Sequence, residues 1–271
     1  MALVLGIDAA WTNSQPSGVA LLREERGSWC VVGVAPSYSA FVELASGAAV
    51  DWQRKPEGSW PDVAAILEAA GDLGRGDVRV VAVDMPIAKV AIDSRRAADR
   101  AISRTFGGRG CGTHSPNKNR PGQLGAEMMS QLHSKGFPLA TNYGEAVSGP
   151  CSIEVYPHPA ILHLLSVDYR VPYKVARSTR YWKGVSIPGR VRNLMTEFQR
   201  IYDALLLVLG PLQFELPSTP DSIGTLAELK RYEDALDALV CAWVATRVVE
   251  GSASAYGDET ASIWVPSVPA A

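Results

Sequence analysis

The sequence predicts a mixed α/β domain in which one five-stranded sheet carries helices on both faces. Three strand-like runs follow one another over residues 3–35, and two later apolar runs, 78–83 and 153–156, are each followed by helical segments. Adjacent antiparallel strands need only short turns, whereas parallel strands need a long crossover, usually a helix. We therefore expect three antiparallel strands and then two parallel strands, within a single domain over residues 1–250.

Apolar periodicity predicts the individual elements. The continuous apolar run 78–83 is typical of a strand buried in a sheet, and the spacing of Val63, Ile66 and Ala70 is that of a helix. A glycine in the segment 24–28 marks a hairpin turn. The predicted strands are 3–9, 18–23, 29–35, 78–83 and 153–156. The predicted helices are 39–45, 61–70, 92–106, 123–135, 160–165, 191–209 and about 222–250.

Three segments fall outside this regular pattern. Residues 107–122 are rich in Gly, Pro, Asn and Arg, which predicts a loop. We expect helical and loop insertions at about 89–150 and 166–210. Residues 251–271 are rich in Ser, Ala and Pro and are expected to form a C-terminal tail, with one short apolar run at 263–265.

Composition and length exclude several classes of protein. The chain has 271 residues, of which 47% are hydrophobic, so it can form a sizeable core and is not disordered throughout. It contains no run of about 18 apolar residues, as a transmembrane helix would need, and its N-terminal run lacks the basic segment of a signal peptide. The four cysteines are far apart, so we expect neither a zinc site nor disulfides. These features predict a cytoplasmic protein with no membrane partner.

Basic residues are concentrated in two segments, although the net charge is −2. Residues 89–120 hold eight Lys or Arg against two Asp, and residues 169–200 hold eight against one Glu. The second segment also interleaves Tyr and Trp residues among its cations. Cations contact a phosphate backbone and aromatic rings stack on bases, so this composition favours nucleic acid, DNA or RNA, as a partner. The alternative is that both segments are solvated surface.

Two of the predicted strands end in aspartate. Asp8 lies at the end of the first strand, and Asp84 follows the fourth. Sites in α/β sheets form at the carboxyl ends of parallel strands, so Asp8 and Asp84 come together if these two strands are parallel neighbours. The alternative for each residue alone is an aspartate that forms a turn at a strand end.

The last predicted helix carries a second pair of acids. Asp234 and Asp237 are three residues apart and therefore share a face, which apolar residues continue further along the helix. Burying two carboxylates is costly unless a cation neutralises them. The alternative is the polar end of an amphipathic helix, with Lys230 and Arg231 as partners.

Glu154 lies in the fifth predicted strand between two apolar residues, so alternation directs it to the opposite face from them. Its chemistry allows a metal ligand, a general base or a solvent-facing residue. The candidate catalytic acids are Asp8, Asp84, Glu154, Asp234 and Asp237, and the four aspartates are the candidate metal ligands. Clustered carboxylates repel one another, and two Mg²⁺ or Mn²⁺ ions would relieve that repulsion, activate a water and stabilise the leaving oxygen of a phosphodiester.

A set of motifs in this order resembles the domain-of-unknown-function family 429. The motifs are GIDAAWT (6–12), PSGVAL (16–21), VDMPIA (83–88), HSPNKNRPG (114–122), IEVYPHPAIL (153–162) and YEDALDALVCAWVA (232–245). That family is regarded as one of predicted nucleases with a ribonuclease H-like fold. The resemblance therefore implies this fold and a nuclease activity, and it supports a role for Glu154 through the family's IEVYPHP motif.

The chain also resembles RuvC-type Holliday junction resolvases more distantly. Their first strand carries Gly-Ile-Asp, matched here by the residues ending at Asp8, and their last helix carries Asp-x-x-Asp-Ala, matched from Asp234 to Ala238. The acid after the fourth strand is commonly glutamate in those enzymes and is Asp84 here, which shortens its reach. Resolvase-type relatives often act as dimers, so the resemblance also implies a homodimer.

The remaining candidates are side chains suited to contact a phosphate or a base. His114 lies in the predicted loop and His158 follows the fifth strand, and either type of position allows a histidine to orient a water or a phosphate. The alternatives are a loop hydrogen bond for His114 and a helix cap for His158. The full set of substrate-binding candidates is Arg96, Arg100, His114, His158, Lys174, Arg177, Arg180, Tyr181, Trp182 and Lys183.

Three functions fit these residues. We expect a metal-dependent nuclease that hydrolyses phosphodiester bonds by a two-metal-ion mechanism. The first alternative is a non-catalytic module that binds nucleic acid or a protein partner on the same fold. The second is an ATP-dependent phosphotransferase of the actin-like or sugar-kinase class, whose opening resembles Asp8 and Thr12. That class usually carries two copies of the fold, and this sequence contains one such opening.

Overall fold

A computed structural model describes residues 1–267 of the chain, apart from Asp221, and over that part it contains a single mixed sheet of seven strands. The strands are β1 (Ala2–Asp8), β2 (Gly18–Glu25), β3 (Ser28–Ala35), β4 (Asp77–Val83), β5 (Cys151–Val155), β6 (Ala253–Gly257) and β7 (Ser262–Pro266). They are ordered β3-β2-β1-β4-β5-β7-β6 across the sheet. The strands β1, β4, β5 and β7 run parallel, and the pairs β1–β2, β2–β3 and β6–β7 are antiparallel.

The expected sheet of five strands is wrong, because the predicted tail contributes two more. β7 pairs parallel with β5, and β6 pairs antiparallel with β7. All five residues of β7 are buried, so this short segment is a core strand despite its flanking Ser, Ala and Pro residues. Residues 268–271 of the predicted tail lie outside the described residues.

Seven of the nine α-helices in the described residues correspond to predicted ones, with shifted bounds. They are α1 (Tyr38–Ala45), α2 (Val63–Gly74), α3 (Ala97–Phe106), α4 (Gln123–Ser134), α5 (Tyr143–Ser148), α6 (Pro157–Leu164), α7 (Ser178–Tyr181), α8 (Ile187–Leu209) and α9 (Leu226–Val249). Two helices begin earlier than expected because a proline is accepted in the first turn, where no intrahelical donor is lost. The short helices α5 and α7 were not predicted, since neither is long enough for a periodic signal.

Side-chain alternation in the central strands divides the core into two layers. Leu3, Leu5 and Ile7 of β1 pack in one layer with residues of α1, α2 and α4. Val4, on the opposite face, packs in the second layer with residues of α6, α8 and α9. Continuing that alternation, Asp8 falls on the α9 side of the sheet. The same rule places Val80, Ala82 and then the residue after β4 on that side.

α9 crosses this second layer as a central helix. It is buried around most of its circumference, which is the pattern of a helix enclosed by other elements rather than of a surface helix. Within the described residues, no helix is both long and apolar enough to cross a membrane. The four cysteines are free thiols, as expected from their spacing.

Candidate metal centre

Three aspartates meet at the carboxyl edge of the sheet. Asp8 is the last residue of β1, and Asp84 directly follows β4, where its backbone N–H donates to the Ile7 carbonyl at 2.8 Å. Asp237 comes from α9. One carboxylate oxygen of each aspartate lies within 4.8 Å of those of the other two. The sequence brings Asp8 to Asp84 on condition that their strands are parallel neighbours, and β1 pairs parallel with β4.

Two glycines allow α9 to lie close enough to contribute Asp237. A Cβ atom on Gly6 of β1 would stand 2.1 Å from the carbonyl oxygen of Ala238, and one on Gly18 of β2 would stand 2.2 Å from that of Asp234. No side chain fits at those separations, because the atoms it would meet belong to the helix backbone. The glycine of the Gly-Ile-Asp motif therefore fixes how close the last helix approaches the first strand.

Burial and mutual repulsion disfavour the ionised forms of these acids. Burial, together with the Asp8 carboxylate, raises the pKa of Asp84 well above its usual range. Burial also raises the pKa of Asp237 to about 6, although the cation of Lys174 opposes that rise. A bound divalent cation would favour the ionised carboxylates, so the cluster is chemically suited to one.

Lys174 is the counter-ion of Asp237. Its Nζ donates to Asp237 Oδ2, and the same nitrogen lies 3.5 Å from Glu233 Oε1. The hydroxyl of Tyr173 donates to Asp237 Oδ1 at 2.6 Å. Each carboxylate oxygen of Asp237 therefore has a donor, which holds the side chain in one orientation.

Asp234 has a different environment from Asp237, although both lie on α9. It forms an ion pair with Lys230, four residues earlier, and Lys230 also lies 3.2 Å from Glu233. The alternative in which Lys230 is the partner of Asp234 is thus observed, whereas Arg231 donates to backbone carbonyls of the segment 52–54 instead. Among the residues that the structure describes, Asp234 is not part of the three-aspartate cluster.

Glu154 is bound to Arg96 rather than directed into the cluster. Arg96 donates to its two oxygens at 2.5 and 2.7 Å and to Asp99 at 2.9 and 3.0 Å. Ile87 completes this network, since its N–H donates to Glu154 at 3.0 Å and its carbonyl accepts from Arg96 at 2.7 Å. The physical reason is alternation: Ile153 and Val155 pack toward α9, so Glu154 faces the other way. Neither Glu154 nor Arg96 is exposed, so the structure gives Arg96 an internal partner in place of a substrate.

Histidines and arginines form a second group beside the aspartates. Arg170 donates to Nε2 of His158, and Arg177 donates to Nε2 of His114. His158 is buried, whereas His114 is exposed. Burial, reinforced by Arg170, lowers the pKa of His158 well below its usual range, and burial with Arg177 lowers that of His114. Both imidazoles are therefore neutral near pH 7.

The acidic cluster opens into a cleft of about 390 Å³. Asp8 and Asp84 line it together with Lys174, and the predicted loop 107–122 forms the opposite wall. A smaller cavity of about 220 Å³ shares part of this lining and extends toward His158 and Arg170. Residues of this loop therefore line the candidate site.

The other substrate-binding candidates lie away from these cavities. Arg100, Arg180 and Lys183 are exposed. Tyr181 and Trp182 are half-buried and meet edge to face at 5.7 Å, and Trp182 packs against the core. Both rings therefore contact other side chains of the protein. In the basic segment 169–200, the exposed aromatic side chain is that of Tyr169.

The family of the chain follows from its sequence as a whole. A family model described as "Protein of unknown function (DUF429)" matches residues 6–261. The chain belongs to this family. The match confirms the resemblance to the domain-of-unknown-function family 429 and leaves the resemblance to resolvases untested. Comparisons with curated proteins and with solved structures found no match.

Several residues of this DUF429 site were not singled out from the sequence. Glu233 contacts both Lys174 and Lys230, and the sequence predicts Lys230 only as a partner of Asp234. Arg170, which binds His158, was counted merely as part of a basic segment. Each of these residues lies within four positions of a candidate site residue, Lys174 or Asp234, so proximity in sequence is the signal that points to them.

Proposed function

We propose that this DUF429 protein is a metal-dependent nuclease with a ribonuclease H-like fold that hydrolyses phosphodiester bonds of nucleic acid. The first five strands support the fold assignment, since their order β3-β2-β1-β4-β5 joins an antiparallel trio to parallel strands. Acids lie at the ends of two adjacent parallel strands and on the last helix, where that fold class would carry its site. Nucleic acid as the partner, and a homodimer as the assembly, remain predictions.

One observation carries the proposal: three aspartate oxygens from three separate elements lie within 4.8 Å of one another. Mg²⁺ and Mn²⁺ prefer oxygen ligands and are often bound by a few carboxylates, so this donor set fits either ion. Asp8, Asp84 and Asp237 would hold it. When bound, such an ion lowers the pKa of a water and stabilises charge on a phosphoryl oxygen.

The chain's own residues orient and balance this site. Tyr173 fixes the rotamer of Asp237, and Lys174 supplies a positive charge that would also attract the phosphate of a substrate. Asp234 would act as a ligand of a second ion only when its ion pair with Lys230 opens. Glu154 acts through the network with Arg96, which fixes the segment after Asp84.

The test is metal binding followed by cleavage. We expect wild-type protein to bind Mn²⁺ in calorimetry and to cleave at least one of a panel of labelled single-stranded, duplex and branched DNA and RNA substrates. Asp8→Asn should abolish cleavage. It should also weaken Mn²⁺ binding by more than roughly 10–100-fold, which is the cost of losing a residue that only hydrogen-bonds a metal ligand. The matched control is Asp72→Asn, which changes an exposed aspartate of α2.

Two results would end the proposal. One is a wild-type protein that binds no divalent ion at any pH at which it is folded. The other is an Asp8→Asn variant that cleaves as fast as wild type while the Asp72→Asn control behaves normally.

A non-catalytic binding module is the second candidate, and a specific observation favours it. Lys174 and Lys230 already neutralise Asp237 and Asp234, which lowers the demand for a metal. In that case nucleic acid would bind with equal affinity with and without Mn²⁺. ATP binding, measured on the same preparations, would instead favour the phosphotransferase alternative.

A further inference from the structure

The smaller cavity beside the acidic cluster contains positive charge that the protein does not balance. Arg170 and Arg177 both line it, and among the described residues neither has a carboxylate within 4.0 Å. Each contacts a histidine instead, and a guanidinium can only donate. Two cations that lie together without a counter-ion repel each other, so an anion bound there would be stabilised.

The carboxylates that line the same cavity do not serve as those counter-ions. Glu154 and Asp99 are paired with Arg96, and Glu233 is paired with Lys174 and Lys230. Asp84 belongs to the candidate metal centre. The cavity is therefore lined both by the unpaired cations Arg170 and Arg177 and by the proposed metal ligand Asp84.

Histidine tautomers add further donors. Because Arg170 donates to Nε2 of His158, the proton of this neutral imidazole lies on Nδ1. His158 is buried, and within residues 1–267 its Nδ1 has no hydrogen-bond partner; the same is true of Nε of Arg170. A buried donor without an acceptor is costly, and both residues line the cavity, so this part of the protein is short of hydrogen-bond acceptors.

We propose that Arg170, Arg177, His114 and His158 form a subsite that binds a phosphate group of the substrate next to the acidic cluster. The proposal rests on the proposed nuclease function and names the part of the substrate that the second cavity takes. A phosphate offers several acceptor oxygens and a negative charge, which matches two guanidinium groups and imidazole N–H donors better than a single carboxylate does. Asp84 and Lys174 line both cavities, so a phosphate here lies beside the proposed metal ligands.

The experiment measures binding of inorganic phosphate by calorimetry, with chelator present and no divalent ion. We expect wild type to bind phosphate, and Arg170→Gln and Arg177→Gln each to weaken that binding at least tenfold, which corresponds to about 1.4 kcal/mol. The matched control is Arg192→Gln, since Arg192 is exposed on α8 and does not line the cavity. It should change the affinity less than twofold. Thermal unfolding of each variant checks that it is folded. The contact of Arg177 with His114 is more exposed than that of Arg170 with His158, so Arg177→Gln should disturb the fold less than Arg170→Gln.

Competition by oligonucleotides shows whether the subsite binds a terminal phosphate of a nucleic acid or an internal one. Competition by a 5′-phosphorylated oligonucleotide but not by its 5′-hydroxyl form assigns the subsite to a terminal phosphate, and competition by both assigns it to an internal one. Competition by neither overturns the proposal. So does phosphate binding that is absent from wild type or equal in all three variants.

Mn²⁺ titrations on the same proteins separate this proposal from the proposed function. Arg177→Gln should bind Mn²⁺ like wild type, and Asp8→Asn should still bind phosphate. If Mn²⁺ binds and phosphate does not, only the subsite fails. If phosphate binds and Mn²⁺ does not, the metal-dependent function fails.

Discussion

Replacing Arg96 should destabilise the protein strongly without removing a metal ligand. The Arg96 and Glu154 side chains are 7% and 4% exposed, and the Asp99 side chain is 1% exposed. Arg96→Ala would leave two buried carboxylates without a counter-ion. Breaking one buried ion pair in this way costs about 3–5 kcal/mol, which for a chain of this size lowers the melting temperature by about 6–20 °C.

The assay is urea unfolding followed by circular dichroism, with Arg200→Ala as the control. Arg200 pairs with Glu197 on α8, and its side chain is 47% exposed, so its loss should cost no more than about 1 kcal/mol. If Arg96→Ala does not accumulate as folded protein, Arg96→Lys is the second variant. It keeps the charge and removes the bidentate contact, so it should lower the free energy of unfolding by less than Arg96→Ala does.

Glu154→Gln distinguishes a structural role from a catalytic one. The variant should be less stable than wild type, because a neutral side chain replaces the partner of Arg96, yet it should bind Mn²⁺ with unchanged affinity. An unfolding free energy for Arg96→Ala within 1 kcal/mol of wild type would refute this reasoning, as would loss of Mn²⁺ binding in a stable Glu154→Gln variant.

Three further predictions concern the approach of α9, the acidic cluster and the basic surface. Gly6→Ala should destabilise the fold by about 1–3 kcal/mol and weaken Mn²⁺ binding, because its Cβ would meet the α9 backbone, whereas Gly107→Ala, which meets nothing within 4 Å, should be neutral in the same urea titration. Since the pKa of Asp237 is raised to about 6, its contribution to stability without metal is present below about pH 4 and is lost as the pH rises through about 6. Metal binding requires the ionised form, so Mn²⁺ should raise the melting temperature more at about pH 7.5 than at about pH 5; an equal increase at both would contradict the assignment. If Arg180 and Lys183 contact a phosphate backbone, replacing both with Gln should reduce the slope of log affinity against log salt by about 1–2, and an unchanged slope would mean that they are solvated surface.

The central part of the fold could be predicted from the sequence because its signals are local. Continuous apolar runs identified the strands that end near Asp8 and Asp84, and the structure pairs these two strands in parallel. The C-terminal hairpin could not be predicted in the same way. β6 and β7 have five residues each, and β7 is a strand because β5 presents an open edge to it, which is a long-range property of the folded sheet.

The same difference between local and long-range signals applies to the candidate site. Asp8, Asp84 and Asp237 were named from the sequence, because a strand end and a helix face follow from spacing alone. Lys230 beside Asp234 follows from their spacing of four residues, but the cations beside Asp237 and Glu154 do not follow from spacing, since they are far away in sequence.

Lys174 lies 63 positions from Asp237, and Arg96 lies 58 positions from Glu154, yet these contacts decide which carboxylates a metal could bind. Asp237 and Glu154 are both buried acids with a basic partner, but only Asp237 is predicted from the sequence to be a metal ligand. Asp237 lies with two more aspartates, so three carboxylates meet beside Lys174, whereas Arg96 binds two carboxylates and contacts both of them directly. The demand for a divalent cation is therefore greatest at the cluster of Asp8, Asp84 and Asp237.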